Sequence, residues 1–291
     1  MTAARDAAAK DAKASPTVAL ALGGGGARGL AHIHAISALD ELGIRPVAIA
    51  GSSIGAIMGA GVASGMRGAE IADYARASLG RRGEVARRIW SSRPGSLREA
   101  VAGGFRVGQF DLPRILKSFL PETVPATFEE LSIPLKLTGT DYYGHSVEVM
   151  ETGDLLSAIA ASAAIPAVFR PVMRNGRLLI DGGLFNPVPF DLVDGMADIV
   201  VAIDVVGSPE QGDRAPTAIE LMFGASQLMM QSINTLKLAQ RRPDVFLQPP
   251  VSKFRVLDFL KIDAVMADTQ SLKDEVKREL SAAIDARQKP H

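Results

Sequence analysis

The sequence predicts an α/β fold organised on a mainly parallel sheet. Two observations carry that prediction. Short apolar runs alternate with helix-spaced segments from Thr17 to Gly65, and glycine-rich turns join the runs to the helices. Strand, helix, strand, turn and helix in that order call for right-handed crossovers between parallel strands. Chain length sets the scale: 291 residues, 47% of them hydrophobic and 22% charged, bury a substantial core, which we read as one domain over residues 17–291.

Residues 1–16 are rich in Ala, Asp and Lys and read as a solvated, fraying tail without the apolar centre of a signal peptide. Thr17 to Leu22 is a continuous apolar run, the pattern of a strand buried on both faces. After the glycines, Leu30, Ile33, Ile36 and Leu39 mark a helix over Leu30 to Leu42, stopped by Gly43. Pro46 to Ala50 is the next strand, and a small-residue helix follows it. Arg67 to Pro134 is helical in composition but broken by glycines and prolines, so it reads as a helical insertion. Leu135–Thr140 and Ser146–Met150 are strands joined by a turn at Asp141–Gly144.

Two further apolar runs, Leu178–Ile180 and Ile199–Ile203, end in Asp181 and Asp204, which places both carboxylates at strand carboxyl ends, where parallel sheets collect functional groups. Ile219 to Leu238 reads as a helix whose Met222, Met229 and Met230 suit core packing better than an acyl-chain groove. Val245–Leu247 is a last strand. Ala264 to Ile284 is a charged helix read as exposed and laced with ion pairs.

Composition excludes several function classes. Lys+Arg and Asp+Glu are both 32, so net charge gives no argument for a nucleic-acid partner. Cysteine is absent, which removes disulfides, thiolate metal sites and a cysteine nucleophile. The most apolar stretch, Pro46 to Gly65, is broken by glycines and by Ser52, Ser53 and Ser64, so no transmembrane helix is expected. The expected location is cytoplasmic, with at most peripheral contact at the inner membrane face.

Chemistry concentrates in two glycine-rich turns. Gly51-Ser52-Ser53-Ile54-Gly55 has the form of a nucleophile elbow, in which a tight strand-to-helix turn thrusts out the central serine, Ser53, and Gly51 and Gly55 keep side chains away from the bend. Gly23 to Gly29 contains Gly24-x-Gly26-x-x-Gly29, which fits a dinucleotide loop or an oxyanion hole. The acid that a dinucleotide site needs about 20 residues further on is missing: the second strand ends Ala48-Ile49-Ala50-Gly51, and Asp40 and Glu41 lie in the helix.

A serine nucleophile needs a base. Of the four histidines, His291 is terminal, His32 and His34 sit in the first helix, and His145 sits in a hairpin turn; all read as surface or packed residues. Asp181, followed by Gly182-Gly183, is the better candidate.

Together, Gly23–Gly29, Gly51–Gly55, Ala161-Ser162-Ala163-Ala164-Ile165-Pro166 and Asp181-Gly182-Gly183 make the chain, from about Val18 to Asp204, resemble the patatin-like phospholipases, particularly compact bacterial members. The resemblance implies a three-layer α/β/α sandwich and a lipid acyl hydrolase with a Ser-Asp dyad. By motif, Ser53 is the nucleophile, Asp181 the base, and the amides of Gly24, Gly25 and Gly26 the oxyanion hole. Gly51, Gly55, Gly182 and Gly183 support the two turns, and Arg28 orders the loop or attracts phosphate. No cofactor or metal is implied. The substrate is a phospholipid or another fatty-acyl ester.

Such a dyad demands a carboxyl tuned above the ordinary ~3.9, and substitution of His32 or His145 is expected to leave most activity. A noncatalytic lipid-binding relative and a nucleotide-binding protein are the alternative functions. Arg81 to Arg106, with Trp90 and Phe105, is a basic stretch that fits either a solvated helix face or an anionic membrane surface. Oligomeric state is left open.

Overall fold

The computed structural model describes residues 15–80, 110–211 and 214–289. Its centre is an eight-stranded sheet. Strands β1 (Val18–Leu22), β2 (Ala48–Ser52), β3 (Leu135–Asp141), β4 (Ser146–Met150), β5 (Val172–Arg174), β6 (Arg177–Asp181), β7 (Ile199–Ile203) and β8 (Val245–Leu247) take the order β5-β6-β3-β2-β1-β7-β8, with β4 also paired to β3. Among the described residues the helices are α1 (His32–Glu41), α2 (Ile54–Ala63), α3 (Gly68–Leu79), α4 (Leu112–Phe119), α5 (Leu155–Ser162), α6 (Ala218–Gln240), α7 (Ile262–Asp268) and α8 (Ser271–Gln288).

Strand alternation divides the core in two. On β1, Val18, Leu20 and Leu22 join a large cluster with α1, α2, α5 and α8, whereas Ala19 and Ala21 face a smaller cluster containing Val188, Phe190 and Val193. Larger residues therefore meet the helical layer, and alanines let the segment around Phe190 pack close. Leu238 of α6 adds to that second side. The result is a three-layer arrangement with unequal outer layers.

The sheet is parallel through its centre and antiparallel at one end. β1–β2, β1–β7, β2–β3 and β7–β8 pair parallel, but β3–β4, β3–β6 and β5–β6 pair antiparallel. β5 was not foreseen, being only three residues long. The first helix begins later than expected, because Gly26–Ala31 forms a 3₁₀ turn ahead of α1. The expected C-terminal helix is two helices, and α8 is amphipathic: Leu272, Val276 and Leu280 are buried while Lys273 and Lys277 pair with Glu41. Met222 and Met229 are exposed, so the methionines of α6 are not a core cluster. The basic stretch at 81–106 and most of the N-terminal tail lie outside the described residues.

Candidate active site

Ser53 and Asp181 meet because two strands abut. β4 and β2 pair with overlapping residues of β3 and so take its opposite edges; β6 overlaps β4 in the same way and therefore shares the β2 edge. On that edge Ser52 lies opposite Thr138 and Asp181 opposite Gly139, consecutive residues of β3. Two strands thus run head to head into one slot. Asp181 does end a strand, as expected, but an antiparallel one that points back into the sheet rather than out of its common parallel edge.

The elbow is tight enough to exclude side chains. A methyl group on Gly51 would lie 2.5 Å from the carbonyl oxygen of Gly55, and one on Gly55 would lie 2.0 Å from that of Leu22. Ser53 itself takes φ 55°, ψ −121°, a conformation that costs a non-glycine residue about 1–3 kcal/mol. Its backbone N–H donates to the Ser162 hydroxyl at 3.0 Å, and its own hydroxyl donates to Asp181 Oδ2 at 2.5 Å.

Asp181 is buried and fixed on four sides. Its Oδ1 accepts from Gly183 N–H at 2.8 Å, its carbonyl accepts from the Thr140 hydroxyl at 2.8 Å, and its N–H donates to Ala164 O at 3.0 Å. Burial pushes the carboxyl up to about 6, against the hydrogen bonds from Ser53 and Gly183 that favour its charge. At neutral pH this group is ionised but far more basic than an exposed aspartate. A methyl on Gly182 would strike Thr138 O at 2.1 Å, so only glycine lets β6 end against β3.

Sequence reasoning missed Ser162 as a working part. The segment from Ser162 to Ala164 braces both members of the pair, one through a hydroxyl and the other through a carbonyl. Its signal was present only as a motif of the resemblance, since nothing in S-A-A-I-P itself demands such a role.

The glycine loop approaches Ser53 closely: a methyl on Gly24 would sit 3.2 Å from Ser53 Cβ. Of the three amides expected to act, that of Gly24 donates to Pro187 O at 2.9 Å and is therefore engaged. The amides of Gly25 and Gly26 have no acceptor among the described residues. Carbonyls of Val205 and Val256 press against the α-carbons of Gly25 and Gly26, a negative lining unsuited to a pyrophosphate.

His32 is fully buried, and desolvation drives its pKa down to about 4, so the ring is neutral and Nε2–H donates to Gly23 O at 2.8 Å. It is a packed helix residue that braces the glycine loop. His34 bonds Met266 O, and His145 stands in the β3–β4 turn at φ 53°. Arg28 is buried beside Gly207; desolvation lowers it to about 10 against the attraction of Asp204 and Asp258. That placement fits loop ordering and withdraws the guanidinium from a phosphate in solution. Asp204 is structural in its contacts, accepting from Val206 N–H, Asn234 and Gln248.

A cavity of about 410 Å³ opens beside the serine. Ser53 and Gly26 line it with Ile57, Met58, Leu116, Phe169 and Leu260, and its walls are almost wholly apolar. No described helix is long and apolar enough to cross a membrane.

A family model for patatin-like phospholipases matches residues 20–194. An NTE family protein of Mycobacterium tuberculosis is 40% identical over 195 residues, covering 67% of this chain and 50% of that protein. A lysophospholipase of Debaryomyces hansenii is 27% identical over 276 residues, covering 86% of this chain and 17% of that one. The chain thus spans half the length of the mycobacterial relative and a smaller share of the fungal one. Among solved structures, VipD from Legionella pneumophila has a TM-score of 0.51 at 15% identity, covering 92% of this chain and 67% of that one, a likeness of fold.

Proposed function

The chain belongs to the patatin-like phospholipase family, and from that membership we propose that it cleaves the fatty-acyl ester of a phospholipid or lysophospholipid through Ser53 and Asp181. The observation that carries the proposal is the 2.5 Å hydrogen bond by which the hydroxyl of Ser53, a residue at the wall of an apolar cavity, donates to a buried, basic carboxylate.

The chemistry follows from that bond. Asp181 Oδ2 takes the hydroxyl proton as Ser53 Oγ attacks the acyl carbonyl carbon. Negative charge then develops on the carbonyl oxygen, and the free amides of Gly25 and Gly26 are the donors offered to it, each such donor being worth about 3 kcal/mol of barrier. Collapse breaks the bond to the glycerol oxygen, which leaves with the proton from Asp181. Water repeats the sequence on the acyl-serine: Asp181 accepts its proton, hydroxide adds, and Ser53 departs reprotonated with release of the fatty acid.

A cavity of about 410 Å³ is near the lower end of small-molecule sites, roughly 300–1,000 Å³, and suits one acyl chain better than two. The relative named a lysophospholipase points the same way. Incubation with lysophosphatidylcholine and with diacyl phosphatidylcholine, scored by released fatty acid, tests this. Faster release from the lysolipid, absent in Ser53→Ala, is expected. No release from either substrate, with no labelling of Ser53 by a fluorophosphonate, would instead identify a noncatalytic lipid-binding relative.

A further inference from the structure

We infer that the outward face of α6 is the surface by which the protein sits on a lipid bilayer, an inference that rests on the lipid-ester reading of the active site. The helix runs for 23 residues and carries two charged side chains, both taken up locally. Glu220 caps the N-terminus through Thr217 and pairs with Arg214, and Lys237 turns to Asp191, Asn186 and the carbonyl of Val188. What remains outside is uncharged. Leu221 and Leu228, and Met222, Met229 and Leu236, repeat at seven-residue steps along one side and are between 43% and 64% exposed.

The inner side of the same helix holds the loop that follows Asp181. Met230 packs on Gly183, within 2.9 Å of where a methyl would stand there, and Lys237 grips Asn186, whose N–H in turn donates to Gly182 O. Phe185, in that loop, is itself 43% exposed. One helix therefore joins the dyad loop to an apolar exterior.

The side-chain types select lipid over a protein partner. Protein interfaces are anchored by Trp, Tyr and Arg, and this face has none of them. Leucine and methionine on an uncharged helix face, whose neighbouring cations Arg214 and Arg241 are taken up by Glu220 and Asp194, suit a helix lying in the plane of a membrane surface and held there by apolar contact. Attraction of this kind is apolar, so it survives salt that screens a basic patch.

Cosedimentation of the full chain with phosphatidylcholine vesicles, and with vesicles that also contain phosphatidylglycerol, decides the matter at low and high salt. Binding to phosphatidylcholine alone that persists at high salt is expected, with about tenfold or greater weakening in a variant carrying Leu228→Glu and Met229→Glu. The same variant is expected to hydrolyse a soluble short-chain ester as the wild type does. Binding confined to phosphatidylglycerol vesicles at low salt overturns the inference, as does full binding by the variant. So does a wild-type dimer in sedimentation that the variant dissociates, which would make the face a contact between copies. A wild type inert on the soluble ester would fail the hydrolase reading alone, since vesicle binding is scored without turnover.

Discussion

At β3 the sheet changes character. Strands β2, β1 and β7, parallel and buried along their whole length, carry Ser53, the proposed nucleophile, and the glycine loop; of β4, β5 and β6, antiparallel and partly exposed, β6 carries Asp181, the proposed base. Parallel neighbours finish at a common edge and lie side by side, so their terminal residues are held a strand spacing apart. Reversal of β6 lets its carboxyl end run head-on into that of β2, and a serine and an aspartate 128 residues apart come within hydrogen-bond distance. The rigid half fixes a strained serine, and the reversed half delivers a carboxylate into a desolvated pocket.

The sharpest way to break this division is to remove one chemical group from each half. Ser53→Ala deletes the proposed nucleophile and should abolish ester hydrolysis, while Asp181→Asn should lower kcat by about 10²–10⁴. Only the second should change stability with pH. Burial raises the Asp181 carboxyl from 3.8 to about 6, so the folded state binds the proton more tightly and loses stability as pH rises between those values. Replacing the carboxylate with a neutral amide should therefore stabilise the protein by up to about 3 kcal/mol at about pH 8, with the gain gone near pH 3; denaturant unfolding at the two pH values checks it.

Next in size is the seam itself. Gly182→Ala drives a methyl into the Thr138 carbonyl and should destabilise the fold by about 1–3 kcal/mol, with a larger proportional loss of kcat than of stability because Asp181 is displaced. Measured unfolding with unaltered kcat would show that the abutting strand ends do not set the dyad geometry.

Ser162→Ala tests the brace between the halves. It leaves the Ser53 N–H buried without an acceptor, a loss of about 1–3 kcal/mol, and kcat should fall roughly tenfold with KM little changed. Ser162→Thr, which keeps a hydroxyl, should recover part of that loss.

His145→Ala should change neither activity nor melting temperature, since the side chain sits in an exposed turn. His32→Ala is no equivalent control. It removes the donor to Gly23 O and opens a buried void, so reduced activity there reports on the glycine loop rather than on a catalytic imidazole.

The parallel half was legible in the sequence because β1, β2 and β7 are continuous apolar runs, the first two closed by glycines, a pattern that few structures other than a buried parallel strand satisfy. Ser53 and the glycine loop stood out as candidates for the same reason, whereas Asp181 stood out only through the Asp-Gly-Gly motif and the resemblance. The antiparallel end was less legible: β5 is three residues long, β6 reads Arg-Leu-Leu-Ile-Asp with no sign of direction, and strand direction is set by pairing partners distant in sequence. Gly24 was misjudged because its amide is engaged by Pro187, a contact no local pattern reveals. The exposure of Met222 and Met229 was hidden by the usual rule that apolar spacing on a helix marks a core face.

The pH dependence of fluorophosphonate labelling at Ser53 tests the central claim most directly. In the wild type the labelling rate should rise through a single apparent pKa of about 6 to a plateau, and Asp181→Asn should remove both the rise and most of the rate. A profile unchanged by Asp181→Asn but flattened by His145→Ala would contradict the account, because the base would then be an imidazole and not the carboxylate carried by β6.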